Sequence, residues 1–492
     1  MSKTAVIIGS GFAGLSAAAY LAKYGFNVKL FEKNEQFGGR ARILEENGFK
    51  FDMGPSWYWM PEIFDNFFAD FGKKTSDFYE LKRLEPSYKV FFSENDQISL
   101  PSNLDDIYSL FESYETGSAD KLREFLEEAR YRYEIALRKM IPQPSLSIFE
   151  FIDLEIIGGL LQCDLFNSFR SYSEKHFKNI MLRSIVEFPI LFLGATAKET
   201  PALYSMMNHA DMALGTWYPM GGMNEIIKGF VKVCENLGVE MYSSSPVKKI
   251  NVIDGLVDTI SVKGLEVNAD VVLAGADYAH VEKDLLLEEY QSYSKEYWNS
   301  RVMAPSGLIY YLGTNVKIPA LEHHNLFFDE SLDEHSREIY KEPQWPTRPL
   351  FYVSCTSRTD PNVAPEGHEN LFILMPVASG LLNDNEALRE SYFNLIMDRL
   401  ERLCKQNIRD HIVYKKTYAH SDFIQDYNAF KGNAYGLANT LKQTAVLKPR
   451  VKSKRVHNLY YAGQLTVPGP GIPPSIISGE IVAKEIAHRY SK

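Results

Sequence analysis

The sequence predicts an α/β fold: a parallel-sheet domain built from separated pieces, with inserted segments forming a second, mixed α+β domain. Three observations predict it. "TAVIIG" (4–9) and "NVKLFE" (27–32) read as apolar, β-rich strands around a helix from about Phe12 to Lys23, and such a βαβ unit implies a parallel sheet. Strand texture returns far along the chain, at 239–277 and in "LYYAG" at 459–463. The intervening segments differ: "YKVFF" and "QISL" look like an antiparallel pair, 104–140 looks helical, and 148–215 is mostly helical and unusually apolar.

Taken in order, the pieces give an expected division. Residues 1–87, 216–285 and 446–492 form the first, discontinuous domain; 88–215 and 286–445 form the second. A chain of 492 residues is too long for one core, which fits two domains. Within 239–277, Asp254-Gly255 and Lys263-Gly264 mark the turns of a meander. The chain closes with a Pro/Gly loop and a helix from about Ser475.

Gly9, Ser10, Gly11, Phe12, Ala13 and Gly14 form G-x-G-x-x-G between strand and helix. The first glycine permits the tight turn, the second lets backbone approach a pyrophosphate, and the third lets helix and strand pack closely. The pyrophosphate then sits on the helix N-terminus. Glu32, at the end of the next strand and beside Lys33, is placed to accept from a ribose hydroxyl pair, and an acid there disfavours a 2′-phosphate. Gly38-Gly39-Arg40 follows directly and offers a second set of donors to the same pyrophosphate.

These residues resemble the flavoprotein superfamily of amine oxidases and carotenoid desaturases. The resemblance rests on the GGR stretch and on "FDMGPS" at 51–56, whose Gly54, Pro55 and Ser56 it places along the flavin. It gives Val247 a backbone contact to adenine. Further motifs narrow it: "FDMGPSWYWMP" (51–61), "GTWYPMGGM" (215–223), "AGAD" (274–277, with Gly275), "GNAYGLANT" (432–440) and "AGQLTVPGPGIPPSIISG" (462–479). Together, running nearly end to end, they look like the bacterial phytoene desaturases, most closely those of Bacteroidetes-type pathways. The last motif contributes Gly463, Gly471, Ile472 and Pro473 to the cofactor site, but has Gln464 where many members carry Ala or Asp.

The resemblance implies a Rossmann-like FAD-binding domain of the amine oxidase/desaturase type with an inserted mixed α+β substrate domain. It also implies FAD as cofactor and desaturation of phytoene to lycopene by successive hydride transfers to flavin. A desaturase of a later carotenoid, a carotenoid isomerase and a flavin amine oxidase share the fold. Quinone or oxygen is the implied electron acceptor. C–H bonds of this kind are not acidic, so a side-chain base alone cannot start the reaction, and the cofactor must supply the difficult step. No Ser/His/Asp set, HExxH or carboxylate pair stands out. Asp211 is the acid to test first as proton acceptor; His209, His323 and His324 read as satisfied surface or core groups. Trp57, Tyr58, Trp59 and Trp217 line a polyene tunnel or fill the core.

A net charge of −10 argues against nucleic acid as the main partner. The 29 Tyr and 30 Phe suit a protein that surrounds something apolar. The four cysteines are scattered, which suggests neither disulfides nor a metal site. No secretory signal or membrane span fits, so the expected location is cytoplasmic, peripherally associated with the inner membrane. The carotenoid would then be drawn from the bilayer, with 148–197 or the basic run 447–458 as docking faces.

Overall fold

The computed structural model describes residues 2–147, 150, 167–193 and 196–490. A five-stranded parallel sheet forms one half, in the order Leu459–Tyr461, Val271–Ala274, Thr4–Ile8, Asn27–Phe31, Glu240–Tyr242. Val6, Ile7, Leu30 and Val272 are fully buried, as strands covered on both faces require. The register brings distant motifs to one edge. Gly9 N–H donates to the Phe31 carbonyl (2.8 Å), Gly275 to Ile8 (2.8 Å) and Ala462 to Ala274 (3.0 Å). Ligands in such sheets bind outside the carboxyl ends of the strands, and here those ends carry the glycine motifs.

The helix Phe12–Lys23 is apolar almost all round because it lies between this sheet and the closing helix Ile472–Tyr490. A Cβ at Gly479 would stand 2.4 Å from the Ala13 carbonyl oxygen, so only glycine allows this crossing. The closing helix begins at Ile472, not at Ser475. Gly471 turns the chain with φ 112°, and Pro473 and Pro474 occupy the first turn, where a missing N–H leaves no bond unmade. The meander Val247–Ile253, Leu256–Val262, Leu265–Asn268 has positive φ at both residues of each turn: Asp254 and Gly255, then Lys263 and Gly264.

A seven-stranded sheet forms the other half, in the order Ile412–Tyr418, Ser306–Thr314, Glu369–Val377, Phe351–Ser354, His324–Phe327, Tyr88–Phe91, Gln97–Leu100. Its pairs are antiparallel except that His324–Phe327 runs parallel to Tyr88–Phe91. Residue alternation separates its faces. Leu308, Tyr310, Ile373 and Met375 pack with the helix Glu386–Cys404, whereas Ile309, Leu326, Tyr352, Phe372 and Leu374 turn toward a cavity. Helices Leu104–Tyr114, Ser118–Ile135, Phe169–His176, Ile180–Glu187, Leu332–Tyr340 and His420–Tyr427 also belong to this half. Ser118–Ile135 runs on as a wider turn, Ala136–Met140.

Most of the apolar stretch 148–166 lies outside the described residues, as does Cys163. Cys234, Cys355 and Cys404 are free and buried, and no metal-binding cluster occurs among the described residues. No helix of the described residues is long and apolar enough to cross a membrane.

Candidate active site

The glycine loop shows three different uses of a missing side chain. Gly9 holds φ 93°, a conformation that other residues rarely adopt. A Cβ on Gly14 would lie 2.0 Å from the Gly9 oxygen, so this glycine seats the helix on its own strand and does not face the cavity. Gly11 differs, because a Cβ there meets nothing within 4 Å and would project into open space. It caps the helix without a side-chain bond, and no acid stands in the first turn, which leaves the helix N-terminus free for an anion.

Glu32 is buried beside this loop. One carboxylate oxygen accepts from Ser10 N–H (2.9 Å) and Oγ–H (2.6 Å), the other from Asn34 N–H (2.9 Å). The carboxylate thus braces the glycine turn while remaining on the cavity wall. Lys33 turns to the Gln425 carbonyl and the Asn428 side chain.

Arg40 links the motifs. One guanidinium nitrogen donates to the Asn433 carbonyl (3.0 Å), Nε has no partner, and the group lies 5.1 Å from the Tyr427 ring centroid. The Asn433 side chain accepts from Gln464 (3.0 Å), and buried Asp277 caps the turn at His280 and accepts from Phe430 N–H. Gln464, the departure from the desaturase motif, therefore ties the C-terminal loop to the arginine. Burial pulls the Arg40 pKa down, opposed by the Asp277 charge. Among the described residues Arg40 has no ion pair. A pyrophosphate between it and the open helix N-terminus would neutralise it, so these residues fit FAD.

One cavity of about 810 Å³ runs along these groups. Ser10, Phe12, Ala13, Gly38, Gly39, Gly54, Pro55, Ser56, Val247, Gly275, Gly463, Gly471, Ile472 and Pro473 lie on its wall with Gly9, Gly11, Glu32, Lys33 and Arg40. Tyr311 Oη donates to the Met53 carbonyl (2.8 Å) and holds the 54–56 turn. The cavity then continues into the second half. There it is walled by Tyr133, Leu137 and Met140, by Phe188 and Tyr204, and by Leu326, Phe328, Tyr340 and Tyr352. These residues had no local signal, because apolar side chains facing a cavity and facing a core read alike.

Among the described residues, charge on the wall is confined to the nucleotide end. Among the described residues of 133–145, 188–207 and 305–376, the wall carries no titratable side chain of Asp, Glu, Lys, Arg or His but His335. Burial lowers His335 to about 4, so it is neutral near pH 7.

Trp57 and Trp59 lie on the wall. Tyr58 is core, bonded to Tyr79, and Trp217 is half-buried with its indole N–H on the Leu214 carbonyl, so neither lines the cavity. Asp211 is fully buried but is not on the wall. It accepts from Tyr88 Oη (2.9 Å) and Thr216 Oγ1 (3.5 Å), and Thr216 in turn accepts from Trp59. Burial raises its pKa to about 7 against these two bonds. That position corrects the expectation that Asp211 takes the substrate proton: it props the aromatic wall from behind. His323 and His324 are buried with one ring nitrogen each unpartnered, so they are not fully satisfied core groups.

The family model for flavin containing amine oxidoreductases matches residues 12–487. The chain is 41% identical over 483 residues to the carotenoid 3,4-desaturase of Haloarcula japonica, covering 98% of this chain and 97% of that one. It is 30% identical to the 4,4′-diapophytoene desaturase of Staphylococcus aureus strain Newman (98% of each chain). With the zeta-carotene-forming phytoene desaturase of Myxococcus xanthus it shares 28% (98% and 93%). An oxidoreductase from Methanosarcina mazei superposes with TM-score 0.65 at 17% identity, covering 98% of this chain and 100% of that one. A fatty acid isomerase from P. acnes gives TM-score 0.59 at 13% (99% and 98%), and both likenesses speak to the fold alone. The chain therefore belongs to the flavin-containing amine oxidoreductases, in the branch that holds the carotenoid desaturases, and is an FAD-dependent oxidoreductase.

Proposed function

We propose that this protein is a carotenoid desaturase that introduces a double bond near the end of an already long polyene, at the 3,4 position. The observation that carries the desaturase reading is the extension of the cavity beyond the cofactor cradle, uncharged among the described residues. An amine substrate needs an anion or an aromatic cage for its ammonium, whereas a hydrocarbon needs only apolar wall. FAD, when bound, supplies the two-electron acceptor that no side chain can replace. The protein's own residues align the polyene, exclude water and take up the released proton.

The 3,4 position is supported by the 41% identity to a 3,4-desaturase, against 28–30% to the phytoene and diapophytoene desaturases. A second reading, successive desaturation of phytoene to lycopene, is favoured by the "FDMGPSWYWMP" and C-terminal loop motifs. Expression in cells that accumulate phytoene, lycopene or 1-hydroxylycopene, followed by pigment separation, distinguishes the two. The first reading predicts 3,4-didehydro products from lycopene or its hydroxylated form, with phytoene unchanged. Conversion of phytoene alone would replace it by the second, and three unchanged pigments would overturn both.

The substrate is drawn from a bilayer by peripheral contact, and electrons pass on to a quinone or oxygen. About 0.8 kcal/mol per CH2 holds such a molecule in lipid, roughly 8 kcal/mol for ten groups, so the enzyme must come to it. Of the basic run 447–458, Arg450, Lys454 and Arg455 are exposed and available to anionic lipid. Lys448 is not, being buried with its ammonium on the Pro468 carbonyl.

A further inference from the structure

Strand pairing puts a tyrosine and a histidine in contact at the cavity. His324 pairs with Ser354 across adjacent strands, so Tyr352, two residues earlier, is its diagonal neighbour on the same face. The Tyr352 hydroxyl and His324 Nδ1 are 2.6 Å apart. Tyr352 is on the cavity wall, and His324 is fully buried behind it. The imidazole stacks on Trp57, the residue after the Gly54-Pro55-Ser56 turn, with centroids 4.1 Å apart and planes 14° from parallel. Its Nε2 has no partner. A histidine kept only for packing would be replaced by an apolar residue without leaving a buried polar atom unbonded.

We propose that Tyr352 and His324 form the proton-accepting relay of the reaction, the phenol touching the substrate and the imidazole receiving its proton. The inference rests on the desaturase reading above. Removal of one hydrogen with its electron pair, by the flavin as oxidant, leaves an allylic cation. The neighbouring C–H bond then breaks, its electron pair becomes the new C=C bond, and its proton passes to Tyr352 Oη. The phenol's own proton moves in the same event to the Nδ1 lone pair of His324. The substrate loses two hydrogens and two electrons in total.

The surroundings suit this role. Burial drives the His324 pKa well down, with His323 beside it acting in the same direction, so the resting ring is neutral and its lone pair free. An allylic cation is a far stronger acid than any imidazolium, so a weak base suffices. The imidazolium so formed lies against the Trp57 face, where a cation is attracted. His323 is likewise held neutral, and Asp52 and Tyr435 are the other titratable groups whose fields reach Tyr352.

The test uses FAD-loaded wild type, Tyr352→Phe and His324→Gln with phytoene, lycopene or 1-hydroxylycopene in phosphatidylcholine vesicles, in single turnovers without oxygen. Two readouts are taken: the visible flavin spectrum and content, and the identity of the carotenoid products. Both variants are expected to keep FAD and its spectrum. Desaturated product per turnover is expected to fall by about 100-fold or more, the range of general acid–base effects. In its place water adds to the cation and alcohols appear. Glutamine at 324 still accepts the phenol's hydrogen bond but is no base, so it separates structure from chemistry, and it decides the matter if Tyr352→Phe loses FAD. Wild-type desaturation by His324→Gln without alcohols would overturn the relay while leaving the desaturase intact. A wild type that bleaches with none of the three carotenoids would remove both.

Discussion

Gly11 and Gly14, three residues apart, serve different ends, and their variants should separate. A side chain on Gly14 collides with the Gly9 oxygen, so Gly14→Ala should cost roughly 1–3 kcal/mol of stability as overpacking does. Gly11→Val meets no protein atom at its Cβ and should leave the melting temperature of the FAD-free protein nearly unchanged. It should still weaken FAD at least about tenfold, roughly 1.4 kcal/mol, because the side chain occupies the cradle. Calorimetry with flavin titration reads both quantities, and equal losses of stability would contradict this division of labour.

Asp211 makes a pH prediction. Its pKa is raised from 3.8 to about 7 in the folded chain, so folding binds its proton more tightly. The stability it contributes is complete below about pH 4 and is lost as pH rises through about 7. Asn at this position keeps the bond from Tyr88 and has no charge to desolvate. The melting temperature of Asp211→Asn should therefore gain on wild type between pH 5 and pH 8; a constant difference would mean that Asp211 is ionised without penalty.

At the scale of elements, the two helices that end at the cavity are locked to each other by Gly479. Gly479→Leu should separate them, since a Cβ alone stands 2.4 Å from the Ala13 oxygen and 2.8 Å from Ala17 N. The expected result is loss of both FAD and thermal stability, checked by flavin content after gel filtration. A variant that retains wild-type flavin would show that the crossing adapts. Elements near the chain start were legible because strand, glycine turn and helix are contiguous and each residue has a local reason to be there. The sequence points to a start of the closing helix three residues late, at Ser475, because Pro473 and Pro474 look like loop, although the first turn of a helix accepts them. The far wall of the cavity was illegible. Met140, Tyr204 and Tyr352 come from three distant segments, and no periodicity distinguishes a face that borders space from one that borders core.

At the scale of the molecule, two sheets meet around a cavity whose described wall carries its charge at the cofactor end and is apolar in its extension. Residues 9–14, 32 and 275 are legible as one group because each follows the carboxyl end of a strand of the same sheet, and 38–40 follow in the loop after Glu32. The placement of Asp211 and the pairing of His324 with Tyr352 are not, since both depend on contacts between segments 28 or more residues apart. Membrane contact is a whole-molecule property too. Reversal of Arg450, Lys454 and Arg455 to Glu should abolish flotation with anionic vesicles, at about 1 kcal/mol per charge removed, and leave binding to neutral vesicles as it was. Unaltered flotation would place the docking face elsewhere.

Electron transfer from a polyene in the apolar extension to FAD in the cradle is the step on which the desaturase reading stands. Its most direct test is an oxygen-free spectrum of the FAD-loaded protein before and after mixing with carotenoid-bearing vesicles. Loss of the visible flavin band is expected, together with a red shift of the carotenoid bands as a longer conjugated system forms. A flavin band that stays at full height with phytoene, lycopene and hydroxylated lycopene alike would contradict it.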